Sequence, residues 1–198
     1  MKTKKGEKEK LRQKILETSL EYFKLHGRTG SATDSIMDRA GLTKGALYSH
    51  FKSKDDLFSQ AILHDLDVLF QKIAGRIATD KERALRDMIE AHLSAETLDN
   101  VETSCVLSSL SSDMNRCKES ERKLFADKME RLYRQFADAL KFHFPNESTA
   151  KRIEMAQVLY ASLVGAVSTA RLQADRKSAL KVLRVNRNVL LEQYTSKP

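Results

Sequence analysis

The sequence predicts an all-α protein of about nine helices, with a small N-terminal domain over residues 1–54 and a larger helical body over 55–198. Apolar side chains recur at three- and four-residue spacing along most of the 198-residue chain, which is the period of an α-helix. The sequence contains no convincing strand alternation. It has only 2 prolines and no tryptophan, and it is rich in Leu, Ala, Lys, Glu and Arg, as all-helical proteins are.

The first helix is predicted over residues 7–26. Its apolar side chains follow i, i+4 spacing and are Leu11, Ile15, Leu16, Leu20 and Phe23. Gly27 is expected to end this helix, because glycine readily adopts the left-handed conformation of a helix C-terminus. A loop then leads to a second helix over 33–40, which Gly41 ends.

A third, very short helix is predicted over residues 43–50. Leu47 and Phe51 are four residues apart and point inward, so the opposite face is exposed to solvent. That face is formed by Lys44, Gly45 and Tyr48. Two short helices around a glycine-marked turn are typical of a helix-turn-helix, whose second helix enters the major groove of DNA.

The fourth helix is expected to begin after Ser53 and to reach Ile77, with Asp56 completing a capping-box pattern. Further helices are predicted over 81–97, 104–116, 119–143, 148–173 and 177–194. Pro145 separates two of these helices, and Ser148 is expected to cap the one that follows it.

Positive charge is concentrated at the N-terminal end. Residues 1–54 hold 13 Lys and Arg against 6 Asp and Glu, a net charge of +7, whereas residues 55–198 hold 22 against 21, a net charge of +1. A basic end on a nearly neutral body indicates a polyanionic partner, with nucleic acid first and an anionic membrane surface second.

Several classes of protein are disfavoured by what the sequence does not contain. No apolar run approaches the roughly 18 residues that span a bilayer, and the basic N-terminus does not have the apolar stretch of a signal peptide. The 2 cysteines are too few for a disulfide scaffold and have no metal-site spacing. The expectation is a cytoplasmic protein without a membrane partner.

The side chains around the third helix suit contact with duplex DNA. Gly45 adds almost no bulk, so the backbone can approach base edges, and Lys44 can reach a guanine or a phosphate. The predicted contacts are small, hydroxyl-bearing or basic residues: Thr43, Lys44, Gly45, Ala46, Tyr48, His50 and Lys54. Lys54 opens the fourth helix, where the dipole also favours a phosphate. Tyr48 as a half-buried packing residue and His50 as an ordinary surface histidine are the alternatives.

The segment GSATDSIMDRAGLTKGALYSHFKSKDDLF resembles the signature of the TetR family of bacterial transcriptional repressors. The resemblance covers residues 11–58 and includes YFKLHG, IMDRAGLTKG, LYSHF and KSKDDLF. The chain departs from the family at Ala32, where the family usually has Thr or Ser. Ser31 or Thr33 is therefore expected to cap the second helix and to contact a phosphate. The later segment SCVLSSLSSDM is similar to a cysteine-containing segment of one subgroup.

The resemblance implies an architecture and a mode of regulation. Three helices would form the DNA-binding domain, the fourth would connect it to the body, and the rest would sense a ligand and form a homodimer. It also implies repression at a palindromic operator, relieved when a small-molecule inducer changes the spacing of the two recognition helices. No cofactor is implied.

The segment YASLVGAVSTARL in the helix over 148–173 is the candidate dimer interface. Its small side chains permit close helix approach, and the last helix could complete a four-helix bundle across a two-fold axis. The interface is predicted to contain Ala161, Ser162, Gly165, Ala166, Thr169, Leu183 and Leu190. The alternative is that the segment belongs to an internal core helix.

The ligand pocket is predicted from polar, aromatic and sulfur-containing side chains on the apolar helices of the body. These candidates are His92, Cys105, Met129, Tyr133, Phe136 and Tyr160, and each could equally be ordinary core. Cys105 falls near a helix start, a position that favours the thiolate. An alternative function is therefore a repressor that senses electrophiles or oxidants through Cys105, unless this cysteine is buried and inert.

An enzyme is not predicted. The sequence contains no dinucleotide-binding, Walker, zinc-protease or nucleophile-elbow motif, and its 5 histidines show no metal-ligand spacing. A basic helical module for RNA or membranes is the remaining alternative of a different class. A membrane helix would carry a wide apolar face beside its lysines, whereas the helix over 43–50 has a narrow one, which favours duplex DNA.

Overall fold

The computed structural model describes residues 4–195, and within them the fold is all-α, as the sequence predicts. There are ten α-helices and one short 3-10 turn, the latter over Val101–Thr103. The helices are α1 Lys4–Gly30, α2 Thr33–Ala40, α3 Lys44–Tyr48, α4 Lys54–Thr79, α5 Ala84–His92, α6 Ala95–Asp99, α7 Val106–Asn115, α8 Glu119–Leu140, α9 Thr149–Arg171 and α10 Arg176–Thr195.

The helix predicted over 81–97 is in fact two helices. The backbone leaves the helical conformation at Leu93, with φ −102° and ψ 39°, and Ser94 then caps α6 by accepting a hydrogen bond from the Thr97 amide at 3.2 Å. A capping serine in the middle of an apolar pattern therefore ends one helix and begins another. This break accounts for the additional short helix.

Gly27 breaks the helical conformation of α1 at the position where the sequence predicts the helix to end. Its φ is +69°, in the left-handed region that glycine adopts without a steric penalty, and helical structure resumes up to Gly30. The bend brings the last turn of α1 back towards α7, where the Arg28 amide donates to the Asp113 carboxylate at 3.3 Å. The sequence correctly locates the break but not the turn that follows it.

The Ser53 cap of α4 is confirmed, but the reciprocal half of the predicted capping box, from Asp56 to the Ser53 amide, is not formed. The Ser53 hydroxyl accepts from the Asp56 amide at 3.1 Å, and the Asp56 carboxylate accepts from the Lys52 amide at 2.8 Å. From this start α4 packs against α1 and then against α8. Fully buried Phe23 of α1 meets Phe58 of α4 edge-to-face at 5.0 Å between ring centroids. One hydrophobic core continues from α1 to α10. The boundary between two domains at residues 54 and 55 therefore stays a prediction.

The body is centred on α9, which packs against α8 and α10. By length and composition α9 could cross a bilayer, with a mean hydropathy of 1.3, contrary to the expectation that no run is apolar enough. Its inward side chains, including Leu159, Leu163 and Val167, are fully buried in the protein core. Such burial is typical of the core helix of a helical bundle.

Candidate nucleic-acid interface and ligand cavity

The turn before α3 is built by Gly41. This residue has φ +68°, and its amide donates to the Asp38 carbonyl at 2.9 Å while the Leu42 amide donates to Met37 at the same distance. This pairing closes α2 in the left-handed C-terminal motif that glycine favours. Leu47 is fully buried and fixes α3 against the core of the N-terminal helices.

The opposite face of α3 is open to solvent. Thr43 and Gly45 are exposed, and Tyr48 is 54% exposed, so Tyr48 is not a half-buried packing residue. A Cβ added at Gly45 would meet only the Thr43 hydroxyl, at 4.0 Å. Ala46 differs from the prediction, because it is half-buried and packs against the core. The open surface of α3 is thus narrower than predicted.

Lys44 projects from this face but has a partner within the chain. Its ammonium lies 2.9 Å from the Asp34 carboxylate on α2, and both side chains are more than half exposed. A hydrogen bond to Asp34, together with its charge, raises the pKa of Lys44. The pair is accessible to competing anions, because exposed ion pairs are weak.

His50 lies half-buried at the end of the third-helix segment. Its ring contacts Phe51, and partial burial followed by the charges of Lys8 and Arg12 lowers the pKa of His50. Lys8 and Arg12 on α1 were not among the predicted contacts. Lys8 and Arg12 are about forty residues away from His50 in sequence. Only the folded chain shows that they lie close enough to lower its pKa.

Lys54 has a different role from the one predicted. Its ammonium donates to the carbonyl oxygens of Arg28 at 3.0 Å and Ser31 at 3.1 Å, so it ties the end of α1 to the start of α4. Lysine side chains satisfy the last carbonyls of a helix in this way. Lys54 is therefore held by internal contacts and is only half-buried, whereas the prediction has it free for a phosphate.

The predicted cap of α2 is wrong. Ser31 is fully buried, and its hydroxyl donates to the Gly27 carbonyl at 2.6 Å instead of facing a phosphate. Ala32 occupies the N-cap position, and neither neighbour provides a side-chain cap. The physical reason is the bend at Gly27. The bend turns the Ser31 hydroxyl towards the Gly27 carbonyl, which no longer accepts a hydrogen bond within the helix. Thr33 is half-buried at the first position of α2.

A cavity of about 190 Å³ lies within the body, between α4, α5, α6, α7, α8 and α9. Four of the six predicted ligand contacts line it, namely His92, Cys105, Phe136 and Tyr160. Met129 and Tyr133 do not. The Tyr133 ring packs beside Tyr160 at 6.5 Å between centroids, and Met129 lies about two turns before Phe136 on α8.

The polar end of the cavity is formed by Cys105, Tyr160 and His92. The Cys105 sulfur lies 3.3 Å from the Tyr160 hydroxyl, and burial holds the pKa of Tyr160 well above its ordinary value. Burial, and then the charge of Arg171, lowers the pKa of His92 to about 4. The buried Nε2 atom of His92 has no hydrogen-bond partner among residues 4–195. A ligand with a polar group could satisfy this atom.

Three cations near the cavity were missed by the sequence analysis. Lys72 and Arg76 are four residues apart on α4 and line its wall from an exposed position. Arg171 lies behind Cys105 and donates to the Ser104 hydroxyl at 2.7 Å. The i, i+4 spacing of Lys72 and Arg76 was visible in the sequence, but nothing there indicated that a cavity opens beside them.

The outer surface of α9 and α10 carries an apolar stripe. Ala161, Gly165 and Thr169 are exposed, a Cβ at Gly165 would meet nothing within 4 Å, and Ser162 is half-buried. Large apolar side chains continue the stripe, with these exposed fractions: Val158 57%, Leu172 83%, Val185 50% and Val189 54%. Exposed apolar patches of this kind mark interaction surfaces.

Three predicted interface residues lie in the core of the same chain. Ala166, Leu183 and Leu190 are 4%, 2% and 5% exposed, so they cannot reach a partner in this structure. α9 is apolar on nearly every side, so its sequence period does not separate the inner face from the outer one. One side of α9 therefore belongs to the core of the chain, as the alternative has it. For the other, exposed side the dimer interface stays a prediction.

Within residues 4–195 there is no group of three or more His, Cys, Asp or Glu side chains that could hold a metal ion.

Comparison with known proteins identifies the family. Residues 15–61, which span most of α1, all of α2 and α3 and the start of α4, match the family described as "Bacterial regulatory proteins, tetR family". Residues 15–61 belong to the TetR/AcrR family. The "Probable acrEF/envCD operon repressor" of Escherichia coli K12 is 32% identical over 91 residues, covering 46% of this chain and 34% of that protein.

Another TetR/AcrR relative has the opposite sign of regulation. The "HTH-type transcriptional activator FasR" of Mycolicibacterium smegmatis is 35% identical over 82 residues, covering 40% of this chain and 37% of that protein. The matches thus span about a third of the length of these relatives. A TetR-family regulator from Agrobacterium tumefaciens has the same fold, with a TM-score of 0.76 at 19% identity, covering 96% of this chain and all of that one.

Proposed function

We propose that this TetR/AcrR protein is a ligand-responsive transcriptional repressor that binds palindromic duplex DNA as a homodimer through α3. The observation that carries the proposal is the open face of α3, where Gly45 and Tyr48 are exposed around Lys44 on a helix fixed by buried Leu47. Its relatives are transcriptional regulators, not enzymes. This role is exercised in the cytoplasm.

The chemistry of α3 suits the major groove. Gly45 lets the backbone approach base edges, because no side chain intervenes, and the Tyr48 hydroxyl can donate to a phosphate. Lys44 must exchange Asp34 for DNA, and exposed ion pairs exchange readily. The +7 charge of residues 1–54 supplies the long-range attraction, with Lys8 and Arg12 extending the basic surface beside His50.

A second copy of the chain is the partner proposed for the stripe on α9 and α10. One recognition helix reads only a few base pairs, so two-fold symmetry is needed to specify an operator. The small exposed residues Ala161 and Gly165 permit close helix approach, and Leu172 and Val189 supply apolar area to bury. Both features support a symmetric four-helix interface.

The cavity is proposed as the inducer site, and two helices connect it to the DNA-binding end. Ile73 and Lys72 of α4 line the cavity, while the same helix begins with Lys54, which holds the end of α1. Cys105 precedes α7, whose Asp113 accepts from the Arg28 amide. A ligand releases DNA only if it binds the DNA-incompetent state more tightly.

A second candidate function is thiol sensing, and the placement of Cys105 favours it. Its side chain is half-buried on the cavity wall, so a small electrophile that enters the cavity meets the sulfur. Cys117 is 7% exposed, and burial raises the pKa of its thiol, which makes it the less reactive cysteine. In this version the inducer reacts with Cys105 instead of binding reversibly.

The proposal is tested by selecting duplexes from a random pool with wild-type protein, and in parallel with Gly45→Glu. We expect wild type to enrich one two-fold symmetric sequence and Gly45→Glu to enrich none. Single-stranded RNA and anionic vesicles serve as competitors and should not displace the selected duplex. Enrichment of an asymmetric sequence would contradict the homodimer, and preference for RNA or vesicles would replace DNA as the partner.

A further inference from the structure

The cavity has an aromatic wall. The Tyr160 ring packs edge-to-face on Phe136 at 5.5 Å and on His92 at 6.0 Å between centroids, and all three side chains line the space. Aromatic rings pack best against another ring in offset or edge-to-face geometry. Met88 and Val106 add aliphatic surface. This wall matches the flat face of an aromatic ligand.

The volume of the cavity limits the ligand to about one ring. A cavity of about 150 Å³ accommodates benzene, whereas drug-sized ligands occupy roughly 300–1,000 Å³. At about 190 Å³ the present cavity holds one substituted ring. The unpartnered His92 Nε2 and the Tyr160 hydroxyl lie on its wall, so a hydroxyl or carbonyl substituent would find a hydrogen bond there.

Charge on the wall favours an anion. Lys72 and Arg76 line the cavity and place two exposed cations at its edge. Asp65 is the only acidic residue on the wall, and its carboxylate faces the buried Lys24 ammonium at 3.6 Å. A carboxylate placed between Lys72 and Arg76 would accept charge-assisted hydrogen bonds from both cations.

We propose that the cavity binds a single-ring aromatic carboxylate that carries a second polar substituent. The ring packs on Tyr160 and Phe136, the substituent bonds to His92, and the carboxylate lies against Lys72 and Arg76. The inference rests on the proposed inducer site and specifies the class of ligand that it takes. His92 is neutral at physiological pH, so it contributes a hydrogen bond and no charge to this recognition.

The test uses 4-hydroxybenzoate as the probe, with 4-hydroxybenzamide as its neutral isostere, in calorimetric titrations of the full chain without DNA. Wild type should bind the carboxylate about 3- to 10-fold more tightly than the amide, since ion pairs at an exposed rim are modest. The double variant Lys72→Gln/Arg76→Gln should lose this preference and keep the wild-type melting temperature, because both residues are exposed. Lys123→Gln, on the exposed face of α8, is the charge-matched control and should retain the preference.

Equal affinity for acid and amide in wild type would overturn the proposal, and so would a preference that survives in the double variant. Absence of saturable binding of 4-hydroxybenzoate up to its solubility limit would overturn it as well. The regulatory role is measured separately, by adding 4-hydroxybenzoate to the protein on its selected duplex. Binding with anion preference but without DNA release would support the ligand class and contradict the proposed inducer role.

Discussion

The Lys44 ammonium lies 2.9 Å from the Asp34 carboxylate, so the proposed recognition helix carries an ion pair to α2 in the absence of DNA. This pair must open when Lys44 turns to a base or a phosphate. Under the proposed function we therefore expect Asp34 to oppose DNA binding twice, by holding Lys44 and by repelling phosphates. A change at the exposed Asp34 carboxylate alone is therefore expected to change the DNA affinity of the chain.

Asp34→Asn is expected to tighten DNA binding. Releasing Lys44 to a phosphate should also steepen the dependence of log K on log salt by about 0.9 per additional phosphate neutralised. Fluorescence titrations with a duplex at several salt concentrations measure both effects. Asp138→Asn makes the same change in net charge on the exposed face of α8 and should leave both unchanged. Weaker binding by Asp34→Asn would show that Asp34 positions Lys44 for DNA.

Lys54→Ala is expected to act on stability more than on phosphate contacts. Removing the ammonium leaves the carbonyls of Arg28 and Ser31 without their donor, at a cost of about 1–2 kcal/mol in the free energy of unfolding. Lys52→Ala, an exposed neighbour with the same charge change, should unfold like wild type. Urea titration measures both variants. If Lys54→Ala kept its stability and flattened the salt dependence by about one unit, Lys54 would be a phosphate contact after all.

Gly165→Leu should separate the proposed dimer. A side chain there enters open space in the single chain, so the fold should persist, but it would hold the two copies apart at the stripe. Gly75→Leu makes the same substitution at an open, exposed position of α4 and should remain dimeric. Sedimentation velocity at micromolar concentration measures the outcome. A dimeric Gly165→Leu variant would exclude this surface as the interface.

Thiol sensing is tested with a small electrophile and the two cysteine variants. Cys105→Ser should resist release from the selected duplex, whereas Cys117→Ser should be released like wild type, because Cys117 is buried and hydrogen-bonded to the Asp113 carbonyl at 3.5 Å. Gel-shift titration follows the release. Identical behaviour of all three proteins would reject the thiol mechanism and favour the reversible ligand.

Local signals in the sequence were enough to predict the helices of the N-terminal end. Gly41 and Ser53 mark helix ends through their own backbone chemistry, and the four-residue spacing of Leu47 and Phe51 orients α3 without reference to the rest of the chain. Lys54 illustrates the limit of this reasoning. Its carbonyl partners lie 23 and 26 residues earlier, so only the folded chain shows that its ammonium is already engaged.

The body was harder to predict because its helices are apolar on more than one side. The inward direction of Ala166 and Leu183 depends on how α9 and α10 pack together, which their sequence period does not specify. The cavity wall likewise combines residues from six helices. His92 and Tyr160 are conspicuous as polar groups in apolar segments, whereas Lys72 looks like any other exposed lysine until the fold places it beside them.

The central claim is that the open face of α3 enters duplex DNA, and Gly45→Glu tests it most directly. We expect Gly45→Glu to lose specific duplex binding with unchanged helical content and melting temperature, because the new side chain faces solvent in the free protein and phosphates in the proposed complex. Gly75→Glu, with the same charge change at an open site on α4, should bind like wild type. Retained operator affinity in Gly45→Glu, or loss of its fold, would contradict the account.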